Sequence, residues 1–177
     1  MKKILLTFAA AALTLMAANA QAANGTVKFT GSIVKSACDV TSGDASKEVF
    51  IGKYPTSAFK KVGDVTASKA FTINLANCET GNYTLRFDGP TVSGNPNLLA
   101  VNGAAGVGIE ILDNNEKTLP INQSSDANSP WVAIASTDSQ SANGSAAFNL
   151  KARYKSYNTA VTAGDANASS SFTIEYK

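Results

Sequence analysis

The chain has 177 residues, 44% of them apolar and 16% charged, and its formal net charge is +2. It contains no histidine, which excludes catalysis by Ser-His-Asp and Cys-His groups. Its two cysteines are too few for a zinc site, which needs about four ligands, and the chain lacks the basic patch that favours nucleic-acid binding.

The first residues have the composition of a secretory signal peptide, which we place at 1–22. Lys2 and Lys3 precede the apolar run ILLTFAAAALTLMAA, and small residues then allow cleavage after Ala22 or, alternatively, after Ala20. The run is shorter than the roughly 20 apolar residues of a membrane-spanning helix. We therefore expect the rest of the chain to be exported as one domain. Removal of the signal leaves 13 basic and 13 acidic residues, so the exported chain has no net charge.

The segment after the signal, NGTVKFTGSIV, alternates between apolar and polar side chains. Val27, Phe29 and Ile33 face one side of an extended chain, while Lys28 and Thr30 face the other. The alternation predicts a β-strand. By itself it does not distinguish a strand that pairs within its own domain from one that pairs elsewhere.

Cys38 and Cys78 are the two cysteines of an exported chain, for which a disulfide is the expected state. A bridge between them closes a loop of about 40 residues, which restricts the unfolded chain and stabilises the fold by roughly 3–4 kcal/mol. We expect this bond to be structural.

The rest of the chain has the pattern of a β protein. Short alternating or β-branched runs are separated by clusters of Gly, Asn, Asp, Ser and Pro, such as those at 88–97, 112–117 and 123–130. No convincing helical stripe interrupts them, so the sequence predicts an antiparallel sandwich of the immunoglobulin kind. We interpret 136–146 as a loop. The predicted strands are 48–54, 69–78, 82–89, 107–113, 131–136, 146–156 and 170–177.

Few residues suggest chemistry, and each has a simpler structural interpretation. Asp88, Asp113 and Asp165 stand mostly beside turn residues, as solvated turn formers do. The stretch DNNE at 113–116 lacks the ligand spacing of a calcium loop and predicts a turn. Trp131 at a strand start favours core packing over a sugar-stacking surface. We therefore expect a protein without enzymatic activity or cofactor, which acts by binding or assembly.

The two ends of the chain together resemble the pilin subunits of chaperone–usher fimbriae of the type 1 class. The resemblance rests on the signal, the alternating arm, the cysteines in KSACDV and NLANC, the strand FNLKARY, and the C-terminal segment GDANASSSFTIEYK. That last segment has Gly164 fourteen residues from the end and a penultimate tyrosine, Tyr176, with Phe172 and Ile174 at the apolar positions between them. The resemblance covers the whole exported chain.

The resemblance implies an incomplete immunoglobulin-like sandwich that lacks its last strand and is completed by a donor strand from a neighbouring subunit. It divides the chain into the signal peptide at 1–22, a donor-strand arm at 23–35 and a pilin domain at 36–177. The donor strand would comprise Gly25, Val27, Phe29, Gly31 and Ile33. The groove wall that also binds the chaperone would comprise Gly164, Phe172, Ile174, Tyr176 and Lys177.

The resemblance also implies partners and a location. The partners are copies of the chain and other fimbrial subunits, a periplasmic chaperone that grips the C-terminal carboxylate on Lys177, and an outer-membrane usher. A host receptor would be reached indirectly, through a tip adhesin. The subunit would pass through the periplasm to a fimbrium on the cell surface and support adhesion there.

The resemblance favours a major shaft subunit and leaves two alternatives open. One is a minor adaptor subunit, because the polar run at 169–171 and the short arm depart slightly from the family pattern. The other is a secreted carbohydrate-binding β-sandwich, which would share the sandwich pattern.

Overall fold

A computed structural model describes residues 25–31, 38–123, 131–134 and 144–176. The predicted signal peptide, Ile33 and Lys177 lie outside the described residues. Residues 25–31 belong to the unit Met1–Ile33, and the other described residues belong to the unit Val34–Lys177. We describe the two units separately.

The described part of Val34–Lys177 consists of β-strands and one short 3₁₀ turn, Thr56–Ala58. None of its helical turns is long and apolar enough to cross a membrane. The strands are β1 (Asp39–Val40), β2 (Lys69–Cys78), β3 (Gly81–Asp88), β4 (Thr91–Val92), β5 (Asn95–Ala100), β6 (Asn102–Ala105), β7 (Val107–Asp113), β8 (Trp131–Ile134), β9 (Gly144–Ser156), β10 (Thr162–Asn167) and β11 (Ser171–Tyr176).

The strands form two main sheets and a separate ribbon. The six-stranded sheet has the order β1-β2-β9-β7-β5-β4, the three-stranded sheet has the order β11-β3-β8, and β10 pairs with β6 in the ribbon. Every strand pair is antiparallel. The architecture is therefore the predicted all-β, antiparallel one.

The hydrophobic core is formed by alternate residues of the main strands, because successive side chains of a strand point to opposite faces. Four strands each contribute two residues to one buried cluster. The pairs are Ile73 and Leu75 on β2, Leu85 and Phe87 on β3, Ile109 and Ile111 on β7, and Phe148 and Leu150 on β9.

The predicted disulfide is present. Cys38 and Cys78 are bonded, with their Cα atoms 4.1 Å apart, and the bond joins the chain just before β1 to the end of β2. Cys78 is buried. The bond thus fixes the place where the chain enters the six-stranded sheet.

Several strand predictions are confirmed at residue level. β2 and β7 have the predicted bounds, and β3, β9 and β11 lie within two residues of theirs. β8 begins at Trp131 as predicted. The end of the predicted β8 segment and most of the predicted loop at 136–146 lie outside the described residues, while Gly144–Ala146 belongs to β9.

Other predictions are wrong, for reasons of pairing and composition. Residues 48–54 alternate as a strand does but have no strand partner among the described residues. The predicted turn cluster at 88–97 has a turn at 93–94, but it also contains β4 and the start of β5. The ribbon strands β6 and β10 are rich in Gly, Ala and Asn, which are depleted in strands, so their composition gave no indication of them.

Candidate functional site

A groove opens into the core between two stretches of chain, 45–55 and 161–172. It comprises two adjoining cavities of about 510 and 870 Å³. Both cavities are lined by Val49, Ile51, Ile109 and Ala168, so they form one continuous groove.

The floor of the groove is the hydrophobic core itself. Phe71 and Ile73 of β2, Ile109 and Ile111 of β7, and Phe87 of β3 line the smaller cavity. These side chains come from both main sheets. The sandwich is therefore open along this line.

The first wall of the groove is the stretch 46–54. Val49 and Ile51 line both cavities and Ile51 is buried, whereas Phe50 between them lines only the larger cavity and is 69% exposed. Burial therefore alternates over 49–51 as it does in a strand, and Gly52, with a φ of 130°, follows this short run. The residues of the stretch nevertheless form no backbone-to-backbone hydrogen bond with any other described residue.

The second wall is the stretch 161–172, which includes β10 and the start of β11. β3 is the only strand that pairs with β11 in the described part of the chain, so β11 lies at a sheet edge. Its core-facing residues are incompletely covered: Phe172 and Ile174 are only half-buried and Tyr176 is 54% exposed. A strand of a closed sandwich would bury these positions.

Aromatic contacts hold β11 against β3. The Tyr176 ring packs edge-on against Tyr83, with ring centroids 5.4 Å apart, and the Phe172 ring lies 6.3 Å from that of Phe87. The Tyr83 hydroxyl donates to the Glu79 carbonyl at 2.8 Å. Burial raises the pKa of Tyr83, so its hydroxyl stays protonated and remains a donor. The sequence-predicted residues Phe172, Ile174 and Tyr176 thus lie together on the core side of one edge strand.

The larger cavity has an aromatic end. The rings of Tyr54 and Tyr154 meet edge to face, with centroids 6.2 Å apart. The Tyr154 hydroxyl donates to the Ala166 carbonyl at 3.1 Å, which ties β9 to β10 across the groove. Burial, reinforced by Tyr54, raises the pKa of Tyr154. This end of the groove is therefore apolar with one satisfied hydroxyl.

Gly164 lies on β10 rather than on the last strand, and it lines the larger cavity. A Cβ atom at this position would lie 2.7 Å from the backbone carbonyl carbon of Gly103 on β6. That distance is a steric clash, so the close approach of β6 requires glycine here. The sequence pattern indicated Gly164. It did not indicate the neighbouring strand β6, whose close approach explains why glycine is required there.

The predicted arm lies in the other unit. Residues 25–31 have no regular secondary structure, Val27 is 73% exposed and Phe29 is 91% exposed. Gly25 and Gly31 have open space where a side chain would begin. That these residues form a donated strand stays a prediction.

Two of the three acidic residues that we considered as candidates for chemistry have structural contacts, and the third, Asp165, is exposed on β10. Asp113 accepts the backbone N–H groups of Asn115 and Lys117 at 2.8 Å each, which confirms the turn at 113–116. Asp88 pairs with Arg86 at 2.9 Å. The Trp131 side chain lies outside what the structure describes.

The groove therefore offers a binding surface made of backbone edges and an apolar floor. One wall includes the start of the edge strand β11, and the other makes no backbone-to-backbone pairs among the described residues. Unpaired strand edges bind extended chains by adding them to the sheet. Sequence alternation cannot identify such a surface, because the surface exists where a neighbouring strand is missing from the sheet.

Comparisons with known proteins agree with this geometry. The profile of the family described as "Fimbrial protein" matches residues 27–177. A type-1 fimbrial protein subunit of Serratia marcescens is 54% identical over the whole of both chains. The crystal structure of a Burkholderia pseudomallei antigen and type I fimbria protein is 36% identical, with a TM-score of 0.58 over 86% of this chain and 97% of that one. The P pilus rod subunit PapA has the same fold, with a TM-score of 0.66 and 22% identity over 80% of this chain and all of that one.

Proposed function

Because the chain belongs to the fimbrial protein family and is a structural fimbrial subunit with an incomplete immunoglobulin-like fold, we propose that it polymerises by strand donation. Residues 25–33 of one copy enter the groove of the next. The arm at 23–35 is the donor, and the domain at 36–177 is the acceptor. The observation that carries the proposal is the apolar groove, one wall of which makes no backbone-to-backbone pairs among the described residues.

The donated strand would supply what the groove lacks. Its backbone would pair with the edge of β11 on one side and with the first wall, 46–54, on the other. Backbone groups that are buried without hydrogen-bond partners raise the free energy of the subunit. Both edges of the groove therefore favour the binding of an added strand.

The arm carries apolar side chains on one side, which would suit the apolar floor of the groove. Val27, Phe29 and Ile33 stand at odd positions and face one side of an extended chain. Burying three such side chains at about 1.5–3 kcal/mol each gives roughly 5–9 kcal/mol before ordering costs. In the free chain Val27 and Phe29 are exposed, so nearly all of this burial is available to an assembly.

The geometry of donation produces a fibre. The arm and the groove are different surfaces, so contact between copies is head-to-tail and does not close on itself. A chain with both an arm and a groove can extend a polymer at either side, which suits a shaft subunit. An adaptor would use the same two surfaces once, at a junction, and would be distinguished by locating the subunit along isolated fimbriae with a specific antibody.

The same chemistry defines the partners on the route to the surface. A periplasmic chaperone would cover the groove by lending a strand and would bind the carboxylate of Lys177. An outer-membrane usher would be the site where the neighbour's arm replaces that strand. The finished fimbrium would support adhesion to a host receptor through a tip adhesin.

A pair of arm variants tests the proposal. Phe29→Ser removes an apolar side chain from the groove-facing side, and Lys28→Ser is the matched control on the opposite side. Fimbriae isolated from cells are counted and their resistance to SDS is measured. We expect Phe29→Ser to abolish or strongly reduce SDS-resistant polymers and Lys28→Ser to leave them near wild-type amounts. Equal polymer yields from both variants would contradict strand donation by this arm.

A further inference from the structure

The first wall follows β1 by only a few residues. The chain must therefore change direction between β1 and the wall. β1 pairs with β2 with Val40 opposite Leu75. Continued pairing in that register would place Ser46 opposite Lys69 and carry the chain along the edge of β2. The wall would then leave the groove. Some feature must divert the chain from the β2 edge after Thr41.

The diversion begins at Asn74, the residue opposite Thr41. The Thr41 N–H still donates to the Asn74 carbonyl at 3.1 Å. In a continuing antiparallel ladder the Asn74 N–H would return the bond to the Thr41 carbonyl. That carbonyl instead accepts the N–H groups of Asp44, at 2.8 Å, and Ala45, at 3.1 Å, in a turn.

The carboxylate of Asp44 takes the place of the missing carbonyl. It accepts the Asn74 N–H at 2.7 Å, the Asn74 side-chain amide at 2.7 Å and the Thr41 hydroxyl at 2.9 Å. Asp44 is only 4% exposed. The Lys47 ammonium, the Asn74 backbone amide and the Thr41 hydroxyl hold the pKa of Asp44 well below its usual range, so the carboxylate remains charged.

Lys47 likewise takes the place of a backbone partner, two residues along β2. Its ammonium pairs with Asp44 and donates to the Thr72 carbonyl at 2.6 Å. Alternate residues of a strand present their backbone groups to the same edge, so Thr72 offers the next group on the edge that Asn74 occupies. Two side chains thus satisfy the successive edge groups that the diverted strand leaves behind.

We propose that Asp44 and Lys47 are positioning residues that cap the β2 edge, and that this cap keeps residues 46–54 in place as the first wall of the groove. The inference rests on the proposed strand donation. Without the cap, the freed groups of Asn74 and Thr72 favour pairing with the chain that follows Thr41. The groove then loses one of its two walls in a fraction of the molecules.

The expected signature is kinetic. A molecule with its wall on the β2 edge must reopen before it can accept a strand, so uptake slows in proportion to the open fraction. Because a tightly bound strand traps the open form, the final occupancy at saturating strand concentration stays the same. A purely structural role would instead lower the folded fraction and therefore the final occupancy.

The test uses the mature full chain, residues 23–177, and a labelled synthetic peptide with the sequence of residues 24–34. The rate and the final amount of SDS-resistant peptide uptake are measured for wild type, Asp44→Asn and Lys47→Met. The matched control is Asp64→Asn, because Asp64 is also a carboxylate that accepts backbone N–H groups, those of Lys60 and Lys61 at 2.7 and 3.0 Å, but it does not accept the Asn74 N–H of β2 as Asp44 does.

We expect Asp44→Asn to slow uptake by about tenfold or more, since charge-assisted hydrogen bonds are lost, with unchanged final occupancy. Lys47→Met should slow it less, and Asp64→Asn should stay within about twofold of wild type. Wild-type rates for both Asp44→Asn and Lys47→Met, or a lower final occupancy at an unchanged rate, would overturn the inference while leaving strand donation intact. No uptake by the wild-type chain would overturn the proposed function and this inference with it.

Discussion

The Glu110 carboxylate accepts a hydrogen bond from the Arg153 guanidinium at 2.8 Å, across the pair β7–β9. Glu110 is 1% exposed and also accepts the Lys155 ammonium at 2.7 Å and the Thr118 hydroxyl at 2.9 Å. The two basic side chains keep part of their surface in water. This cluster lies on the face of β7 opposite to Ile109 and Ile111, which line the groove.

Replacing Glu110 with Gln should destabilise the domain by about 1–3 kcal/mol, because a buried charged acceptor is lost and Lys155 and Arg153 no longer pair with it. Denaturant unfolding at neutral pH measures the change. Glu116→Gln is the control: Glu116 is about half exposed and pairs with Lys151 and, at 3.5 Å, with Arg153, so it should cost less than about 1 kcal/mol. A Glu110→Gln protein as stable as Glu116→Gln would contradict a structural role for the cluster.

The same carboxylate gives a pH dependence. Burial alone would raise the pKa of Glu110, but hydrogen bonds from Lys155, Arg153 and Thr118 outweigh it and lower the pKa. A carboxyl whose folded pKa is depressed stabilises the fold above its unfolded pKa and loses that contribution as pH falls through the folded value. We expect the stability gap between wild type and Glu110→Gln to shrink as pH falls below about 4. A stability difference that grows as the pH falls would contradict a lowered pKa of Glu110.

The disulfide should contribute measurably to stability. Changing Cys38 and Cys78 together to Ala opens a loop whose ends are 40 residues apart, which should cost roughly 3–4 kcal/mol. Chemical denaturation of the oxidised wild type and the double variant measures the difference. The reduced wild type should resemble the variant, and a loss below about 1 kcal/mol in both would contradict the expectation.

The stability of the domain should be sensitive to the buried residue of the first wall and tolerant of change at its exposed neighbour. Ile51 is 5% exposed, whereas its neighbour Phe50 is 69% exposed. Ile51→Ser should cost about 2–4 kcal/mol and weaken binding of an arm peptide, because it removes buried apolar surface. Phe50→Ser is the matched control and should change stability by less than about 0.5 kcal/mol. Calorimetric unfolding with and without the peptide separates the two variants, and similar losses would contradict the assigned orientation of the wall.

Gly164 should resist even the smallest substitution. Gly164→Ala places a Cβ atom against the Gly103 backbone, where a shift of the ribbon is required, so we expect a loss of about 1–3 kcal/mol. Gly43→Ala is a suitable control, since nothing lies within 4 Å of a Cβ atom there. Thermal unfolding compares the two, and equal melting temperatures would mean that the β6–β10 contact is looser than described.

Much of the sandwich could be predicted because its strands obey local rules. The sequences of β2 and β7 alternate between apolar and other side chains and contain β-branched residues. Their bounds could therefore be predicted directly from the sequence. Alternation in β9 places Asn149, Lys151 and Arg153 on the face opposite to Phe148 and Leu150, where polar side chains are expected to meet water. Arg153 on that face instead pairs with the buried Glu110, which no pattern could indicate because it depends on which strand lies beside β9.

The groove could not be predicted from local rules for the same reason. Residues 48–54 have the alternation of a strand, yet a strand also requires a partner, and the sequence pattern does not show where a partner is missing. The family resemblance supplied that information from Phe172, Ile174 and Tyr176 at the other end of the chain. The diversion at Asp44 depends on a contact with Asn74, thirty residues away in sequence, so only the fold reveals it.

The central claim is that the arm of one copy fills the groove of the next, and copolymerisation tests it most directly. A mature chain lacking residues 23–33 keeps its groove but has no arm, so it should accept a strand from one neighbour and donate none. Mixed with the wild-type chain in increasing proportion, it should therefore end polymers. The measurement is the distribution of fimbrial lengths by electron microscopy against the truncated fraction. We predict that mean length falls steadily as that fraction rises, with at most one truncated copy per polymer, at one end; truncated copies found along fibres of undiminished length would contradict strand donation.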